Sequence, residues 1–328
     1  MQAIISGVGH FAPENKLTNK DLEEMVDTND EWITTRTGIK ERRILGKGKG
    51  TSFMAVKAAE MLLSQRNISA DELDLIIIAT VTPDMPVPST AALVQKELNA
   101  SNCWGFDLNG GCTGFVYALS VATQFVENGI HQKIMVIGAD KMSAIIDYED
   151  RNTCVLFGDG AGAVLIEPSN SNVGIKDFIL HMDGSGCHSL YVPAGGSLQP
   201  ASEETISQRK HFVSQDGKSV FKRAVKDMAD VSLQIVEKND LTGEDIRFLI
   251  PHQANFRIID AVAKKMGLNK DHVVINIGNY GNTTAATIPL AMSEVYQDRK
   301  IEKGDWIVIS AFGAGYTWGS CLIKWAMD

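Results

Sequence analysis

Asp107-Leu108-Asn109-Gly110-Gly111-Cys112-Thr113-Gly114-Phe115 joins two unlike stretches of chain. Ahead of it, Cys103-Trp104-Gly105-Phe106 is an apolar run that predicts a buried strand. Behind it, residues 116–124 are small and apolar and predict a helix. Cys112 is thereby placed at a strand-to-helix turn, at or just before the first helical turn. Free amides at a helix N-terminus carry partial positive charge and favour a thiolate over a thiol. That predicts a pKa below the ordinary cysteine value of about 8.5. Gly110 and Gly111 supply the backbone freedom for a sharp path. A small buried cysteine in a tight turn is the plainer reading of any single cysteine. A nucleophile also needs a base and an oxyanion site elsewhere in the chain.

Outward from this turn the pattern is α/β. Residues 52–63 read as an amphipathic helix, and Ser69-Ala70-Asp71-Glu72 is a capping box ahead of the apolar strand 75–80. The Pro-rich loop Pro83-Asp84-Met85-Pro86-Val87-Pro88 feeds a helix over 89–98. Strand 134–139 follows the Cys112 unit, and residues 155–166 read as two β-like runs joined by glycines. Ala3-Ile4-Ile5-Ser6-Gly7-Val8-Gly9 hints at a dinucleotide fingerprint, but Pro13 falls where its helix would start. Pro168-Ser169-Asn170-Ser171-Asn172 reads as a linker.

Beyond the linker the order repeats. After a polar excursion over 183–208 come a helix over 220–236, the capping box Thr242-Gly243-Glu244-Asp245, strand 247–250 and a helix over 255–266. Strand 273–276 then runs into Gly278-Asn279-Tyr280-Gly281-Asn282-Thr283, which puts Asn282 where Cys112 stands in the first copy. Residues 306–323 read as a glycine hairpin matching 155–166. Two homologous α/β halves follow, 1–170 carrying the cysteine and 171–328 carrying His252 and Asn282, with apolar strands buried between helix layers.

Composition removes several classes of function. The 328 residues are 44% hydrophobic and 22% charged, a balance that buries a large core. A net charge of -9 argues against nucleic acid as a partner. The cysteines at 103, 112, 154, 187 and 321 show no paired spacing, so neither a disulfide framework nor a metal site is indicated. The N-terminal stretch reads as a strand, not a signal peptide, and no apolar run approaches a membrane span. A cytoplasmic setting is expected.

His252, in Pro251-His252-Gln253-Ala254-Asn255, falls where strand 247–250 meets a loop. A lone histidine is ordinarily exposed or satisfied in a core. A Cys, a His and an Asn at corresponding element ends of two related halves converge on one site far more readily. Trp32, Thr35, Arg36 and Thr37 sit in an exposed-looking cationic segment over 31–43, where a flat aromatic beside arginine suits a nucleotide. A solvated basic turn is the alternative.

Taken in order, Trp32 with Thr35-Arg36-Thr37-Gly38-Ile39, Cys112-Thr113-Gly114-Phe115, Phe157-Gly158-Asp159-Gly160-Ala161-Gly162-Ala163, Pro251-His252-Gln253-Ala254-Asn255, Gly281-Asn282-Thr283 and Phe312-Gly313-Ala314-Gly315 resemble the β-ketoacyl-acyl-carrier-protein synthase III enzymes over essentially the whole chain. The resemblance implies the five-layered αβαβα thiolase fold, a homodimer, and a Cys112-His252-Asn282 triad with backbone oxyanion donors at Cys112 and Ala314. It implies an acyltransferase that condenses an acyl-CoA primer with malonyl-carrier protein to start fatty acid synthesis, without metal or cofactor. Trp32, Arg36, Thr37, Arg151 and Asn255 would contact CoA. Arg257, Lys264 and Lys265, with Lys218, Lys222 and Lys226 on another helix, would offer basic faces to the acidic carrier protein. Val87 would reach across the dimer to the partner's primer pocket and, being small, admit primers longer than acetyl. A related Cys-His-Asn ketosynthase of secondary metabolism and a cysteine hydrolase are the alternative enzymes.

Overall fold

Period-two burial decides how the layers stack. A computed structural model describes residues 1–328. Its first sheet holds β1 (Gln2–Phe11), β2 (Leu75–Ala79), β3 (Trp104–Leu108), β4 (Ile134–Lys141) and β5 (Asp159–Ser169), in the order β1-β5-β4-β2-β3. The second holds β6 (Gly174–Met182), β7 (Ile246–Pro251), β8 (Trp306–Gly313) and β9 (Thr317–Lys324), in the order β6-β9-β8-β7. The six main helices are α1 (Thr51–Arg66), α2 (Thr90–Leu98), α3 (Gly114–Glu127), α4 (Gly217–Lys238), α5 (Phe256–Lys265) and α6 (Thr287–Gln297).

Along β2, Leu75, Ile77 and Ala79 point into a core shared with Phe115 of α3 and Ile288 of α6, while Ile76 and Ile78 point into a separate core with Met54 and Leu62 of α1. Along β8, Ile307 and Ile309 join the first of these cores, while Val308 and Phe312 join a third with Met228 of α4 and Ile259 of α5. Alternate strand residues face opposite sides, so both sheets are buried on both faces. The layers run α1/α2, first sheet, α3/α6, second sheet, α4/α5. This is the five-layered αβαβα architecture. Gly162 on β5 shows how closely the layers approach, since a Cβ there would lie 2.4 Å from the Leu290 nitrogen of α6.

The chain crosses from one sheet to the other between Ser169 and Gly174. The middle helices belong to both halves in packing terms, because the core around α3 and α6 also takes side chains from both sheets.

Several details depart from the sequence reading. Residues 103–106 are not a buried strand: β3 is the edge of its sheet and Trp104 is 50% exposed. Residues 155–166 are not two runs about a glycine turn. Arg151–Cys154 is a helical turn, and β5 carries Gly160 and Gly162 inside the strand, pressed against the turn before α6 and α6 itself. Residues 273–276 reduce to one bridge between Val273 and Leu249. Residues 31–43 are mostly helix, Asp30–Thr37, capped by the Asn29 side chain and ended by Gly38 at φ +81.

The internal match is also shifted. The 3-10 turn Gly111–Thr113 runs into α3, and the 3-10 turn Thr284–Ala286 runs into α6 at the same offset. Gly111 has φ +56 and Thr284 has φ +55. The counterpart of Cys112 is therefore Ala285, and Asn282 corresponds to Asn109.

Candidate active site

Cys112 is 6% exposed, at the foot of α3. Burial, followed by the nearby Asp140 carboxylate, pushes its thiol up to about 12, against the pull of its own amide and of the Asn282 side chain. The depressed thiol expected from a helix start is thus not found. That first turn is walled off from water, and desolvation of a thiolate outweighs the partial charge of the amides.

Asn282 is aimed by its own oxygen. Its Oδ1 accepts from the Thr284 N–H at 2.9 Å, which leaves the side-chain NH2 to face the sulfur. Its backbone is pinned on both sides, donating to the Leu156 carbonyl at 2.9 Å and accepting from the Gly158 N–H at 3.1 Å. His252 follows β7, and its backbone N–H donates to the Ser310 carbonyl at 2.8 Å. Burial lowers the imidazole to about 3, so the ring is neutral. Nδ1 lies 2.7 Å from Thr287 Oγ1, and Nε2 is buried with no partner. Thr287 Oγ1 also reaches the Thr284 carbonyl at 3.1 Å. With the hydroxyl proton turned to Nδ1, Nε2 carries the ring proton and donates. With it turned to the carbonyl, Nδ1–H donates to Oγ1 and Nε2 presents a lone pair.

Backbone donors complete the arrangement. The Cys112 and Ala314 N–H groups carry no hydrogen bond to the rest of the chain. They are close, since a Cβ on Gly313 would lie 2.7 Å from the Cys112 nitrogen and one on Gly111 would lie 3.0 Å from the Ala314 nitrogen. The β8–β9 turn is tied to the cysteine turn by Thr113 Oγ1, which donates to the Thr317 carbonyl at 3.0 Å.

Cys112 separates two cavities. One of about 610 Å³ is lined by Cys112, His252 and Asn282 and extends to Trp32, Arg36, Asn255 and Arg257. The other, of about 270 Å³, is mostly apolar and includes Val81, Met142, Ile145, Phe157 and Thr284 around Cys112 and Ala314. No carboxylate lines either cavity. Two other clefts, one beside Arg66 and Asp328 and one beside His10 and Glu294, contain none of these groups.

The remaining expected residues divide. The Arg151 and Arg36 guanidinium groups lie 4.5 and 4.8 Å from the Trp32 ring centroid. Thr37 lines the larger cavity, but its hydroxyl is spent on the Ile33 carbonyl at 2.7 Å. Asn255 caps α5 through the Arg257 N–H at 2.9 Å. Arg257 lies over the Phe221 ring and lines the cavity, which Lys218 on α4 also lines, whereas Lys264 pairs with Asp260 and Lys265 with Asp230, away from it. Lys222 and Lys226 do not line it either. Val87 is 82% exposed and reaches neither cavity of its own chain. The sequence reading missed Thr287, Thr284 and Asp140. Hydroxyls and an acid in apolar surroundings carry no spacing signal of their own.

Residues 106–184 match the family model described as 3-oxoacyl-[acyl-carrier-protein] synthase III, and residues 236–325 match the model of its C-terminal part. A β-ketoacyl-[acyl-carrier-protein] synthase III of Chlorobaculum tepidum is 54% identical, across 99% of this chain and all of that one. The chain belongs to the β-ketoacyl-acyl-carrier-protein synthase III family. The synthase III of Caldanaerobacter subterraneus is 52% identical over 98% of this chain and 97% of its own. The crystal structure of the Aquifex aeolicus enzyme superposes with a TM-score of 0.91 at 44% identity, covering 98% of this chain and all of that one. As a member of this family the chain is an acyltransferase-type condensing enzyme.

Proposed function

We propose that this enzyme joins an acyl-CoA primer to malonyl-carrier protein with loss of carbon dioxide, through an acyl-Cys112 intermediate, and so makes the first carbon–carbon bond of a fatty acid. The observation that carries the reading is the pairing of two uncharged side-chain donors with the lack of any carboxylate in either cavity. No carboxylate stands ready to pull a proton from carbon, and the imidazole, kept neutral by burial, is suited to hold an enolate oxygen. A carbanion in this site therefore comes from losing carbon dioxide, which needs a stabilised enolate oxygen and no base.

In the first half-reaction the Cys112 sulfur bonds the thioester carbonyl carbon while its proton passes to His252 Nε2. The tetrahedral oxyanion lies between the Cys112 and Ala314 N–H groups. Its collapse breaks the bond to CoA sulfur, which takes the proton from His252. In the second, the malonyl carboxylate leaves as carbon dioxide and its electron pair enters the enolate. His252 Nε2–H and the Asn282 NH2 hold the enolate oxygen, doing the work of a Lewis acid. The carbanion attacks the acyl carbonyl, the same backbone donors hold the second oxyanion, and Cys112 departs as a thiolate that takes a proton from solvent as the 3-oxoacyl product is released. The Thr287 hydroxyl supports both forms of His252 that these steps use.

The larger cavity suits the CoA and carrier arm, with Arg36 and Arg151 on Trp32 at its mouth and Arg257 on the rim for the acidic carrier. The smaller apolar cavity suits the primer chain and has room beyond an acetyl group. The open edge of β3 and the exposed Val87 support a homodimer, and five free cysteines with no disulfide suit a reducing cytoplasm. The test is mass spectrometry after mixing the enzyme with a series of acyl-CoAs and malonyl-carrier protein. An acyl adduct on the Cys112 peptide and a 3-oxoacyl-carrier product with one carbon dioxide released are expected. Free acid without condensed product would overturn the reading in favour of a hydrolase.

A further inference from the structure

The counterpart of the candidate oxyanion site in the other half of the molecule is already filled. At the end of β8, Gly313 leaves the Cys112 N–H open. The matching position at the end of β4, by the same offset that aligns α3 with α6, is Asp140. Its Oδ2 accepts from the Ala285 N–H at 3.1 Å, and Ala285 is the counterpart of Cys112. Asp140 is fully buried and has no cation beside it. Its Oδ1 takes the Val81 and Thr82 N–H groups at 2.8 and 3.2 Å and the Thr80 and Thr82 hydroxyls at 3.0 and 2.9 Å. A buried carboxylate is tolerated only where donors replace its water. Here the donors come from two segments that both reach the smaller cavity, residues 80–82 through Val81 and the turn before α6 through Thr284.

We propose that Asp140 is a positioning residue for the condensation. It clamps the Thr284–Ala286 turn to the loop over residues 80–82, and thereby fixes the direction of the Asn282 NH2. The link is short. Asn282 Oδ1 holds the Thr284 N–H and Asp140 Oδ2 holds the next amide, Ala285 N–H. Two successive amides of a turn at φ +55, strained for a β-branched residue, are gripped by two side chains. The Asn282 backbone is pinned by Leu156 and Gly158, so the second grip acts on the turn whose Thr284 amide sets the direction of the Asn282 side chain. This inference rests on the role proposed above for Asn282.

Asp140→Asn separates this role from general stability. The amide oxygen keeps the acceptor for residues 80–82, but its NH2 confronts the Ala285 N–H, donor against donor. Cys112 acylation by acetyl-CoA and decarboxylation of malonyl-carrier protein are measured separately on the full-length enzyme, with thermal melting as the check on folding. Decarboxylation kcat should fall by about tenfold or more with KM within about twofold, while acylation keeps at least roughly half its rate. Unchanged decarboxylation, or an equal loss in both half-reactions, overturns the proposal. Thr80→Val, which removes one donor and leaves the carboxylate, is the milder variant. It should show the same split at a few-fold, and decides the matter if Asp140→Asn does not fold. If the unaltered enzyme makes no 3-oxoacyl product, the proposed reaction is what fails.

Discussion

Two turns in this molecule share one backbone and differ in what they hold. Gly111–Thr113 and Thr284–Ala286 both open a buried helix with a residue near φ +55. In the second, the chain's own Asp140 occupies the anion position on Ala285. In the first, glycine replaces the acid, and the Cys112 N–H stays open beside that of Ala314. The filled turn shows that this geometry binds an oxygen anion, and the open turn is where a transient one would go. One half uses the device for construction and the other leaves it for chemistry.

The sharpest way to break the comparison is to close the open turn. Gly313→Ala puts a methyl group 2.7 Å from the Cys112 nitrogen, closer than real side chains come. Both half-reactions form an oxyanion there, so both should fall by about a hundredfold to a thousandfold, the cost of losing one such donor. The measurement is the rate of acyl-Cys112 formation and of product formation, with an unchanged melting temperature as the control. Near-normal rates would mean that the oxyanion lies elsewhere.

The next test separates the turn from the side chains around it. His252→Ala and Asn282→Ala remove the enolate donors but leave the backbone donors in place. Decarboxylation should drop about a hundredfold in each. In Asn282→Ala, Cys112 should still take up an acyl group from acetyl-CoA, seen as the mass of the intact protein. Loss of acylation and decarboxylation together in Asn282→Ala would give Asn282 a part in the first half-reaction as well.

Much of this site is legible in the amino-acid sequence. The capping boxes at Ser69 and Thr242, the apolar strands β2, β4 and β7 and the small-residue helix after Cys112 form as local chemistry dictates. Cys112, His252 and Asn282 do line one cavity. The register between the halves was not readable. Gly281 looked like the partner of the glycines before Cys112, whereas the left-handed position is filled by Thr284, a residue whose type does not announce that conformation. The exposure of β3 was hidden for a related reason: Trp104 and Phe106 are apolar whether they face a core or an open sheet edge. The length of β5 was masked because glycines inside a strand read as a turn until the helix pressed against them is seen.

The smallest effect concerns the thiol itself, and here sequence and structure disagree in sign. A helix start alone predicts a thiolate at neutral pH, whose alkylation would level off with rising pH. Burial and the Asp140 charge instead hold the proton on Cys112 to about pH 12. For an acid raised this far, the reactive fraction climbs about tenfold per pH unit through the whole accessible range. Iodoacetamide labelling of Cys112, followed by peptide mass spectrometry from pH 7 to about pH 10, should therefore rise without a plateau. The exposed Cys187 provides an accessible reference in the same sample. A plateau near neutral pH would show that the amides of α3 win over desolvation, and that the enzyme keeps a standing thiolate. A continuous rise would mean that the thiol gives up its proton only as the sulfur attacks. In that case the lone pair of His252 Nε2, set by the Thr287 hydroxyl, matters to acylation as well, and Thr287→Val should slow it.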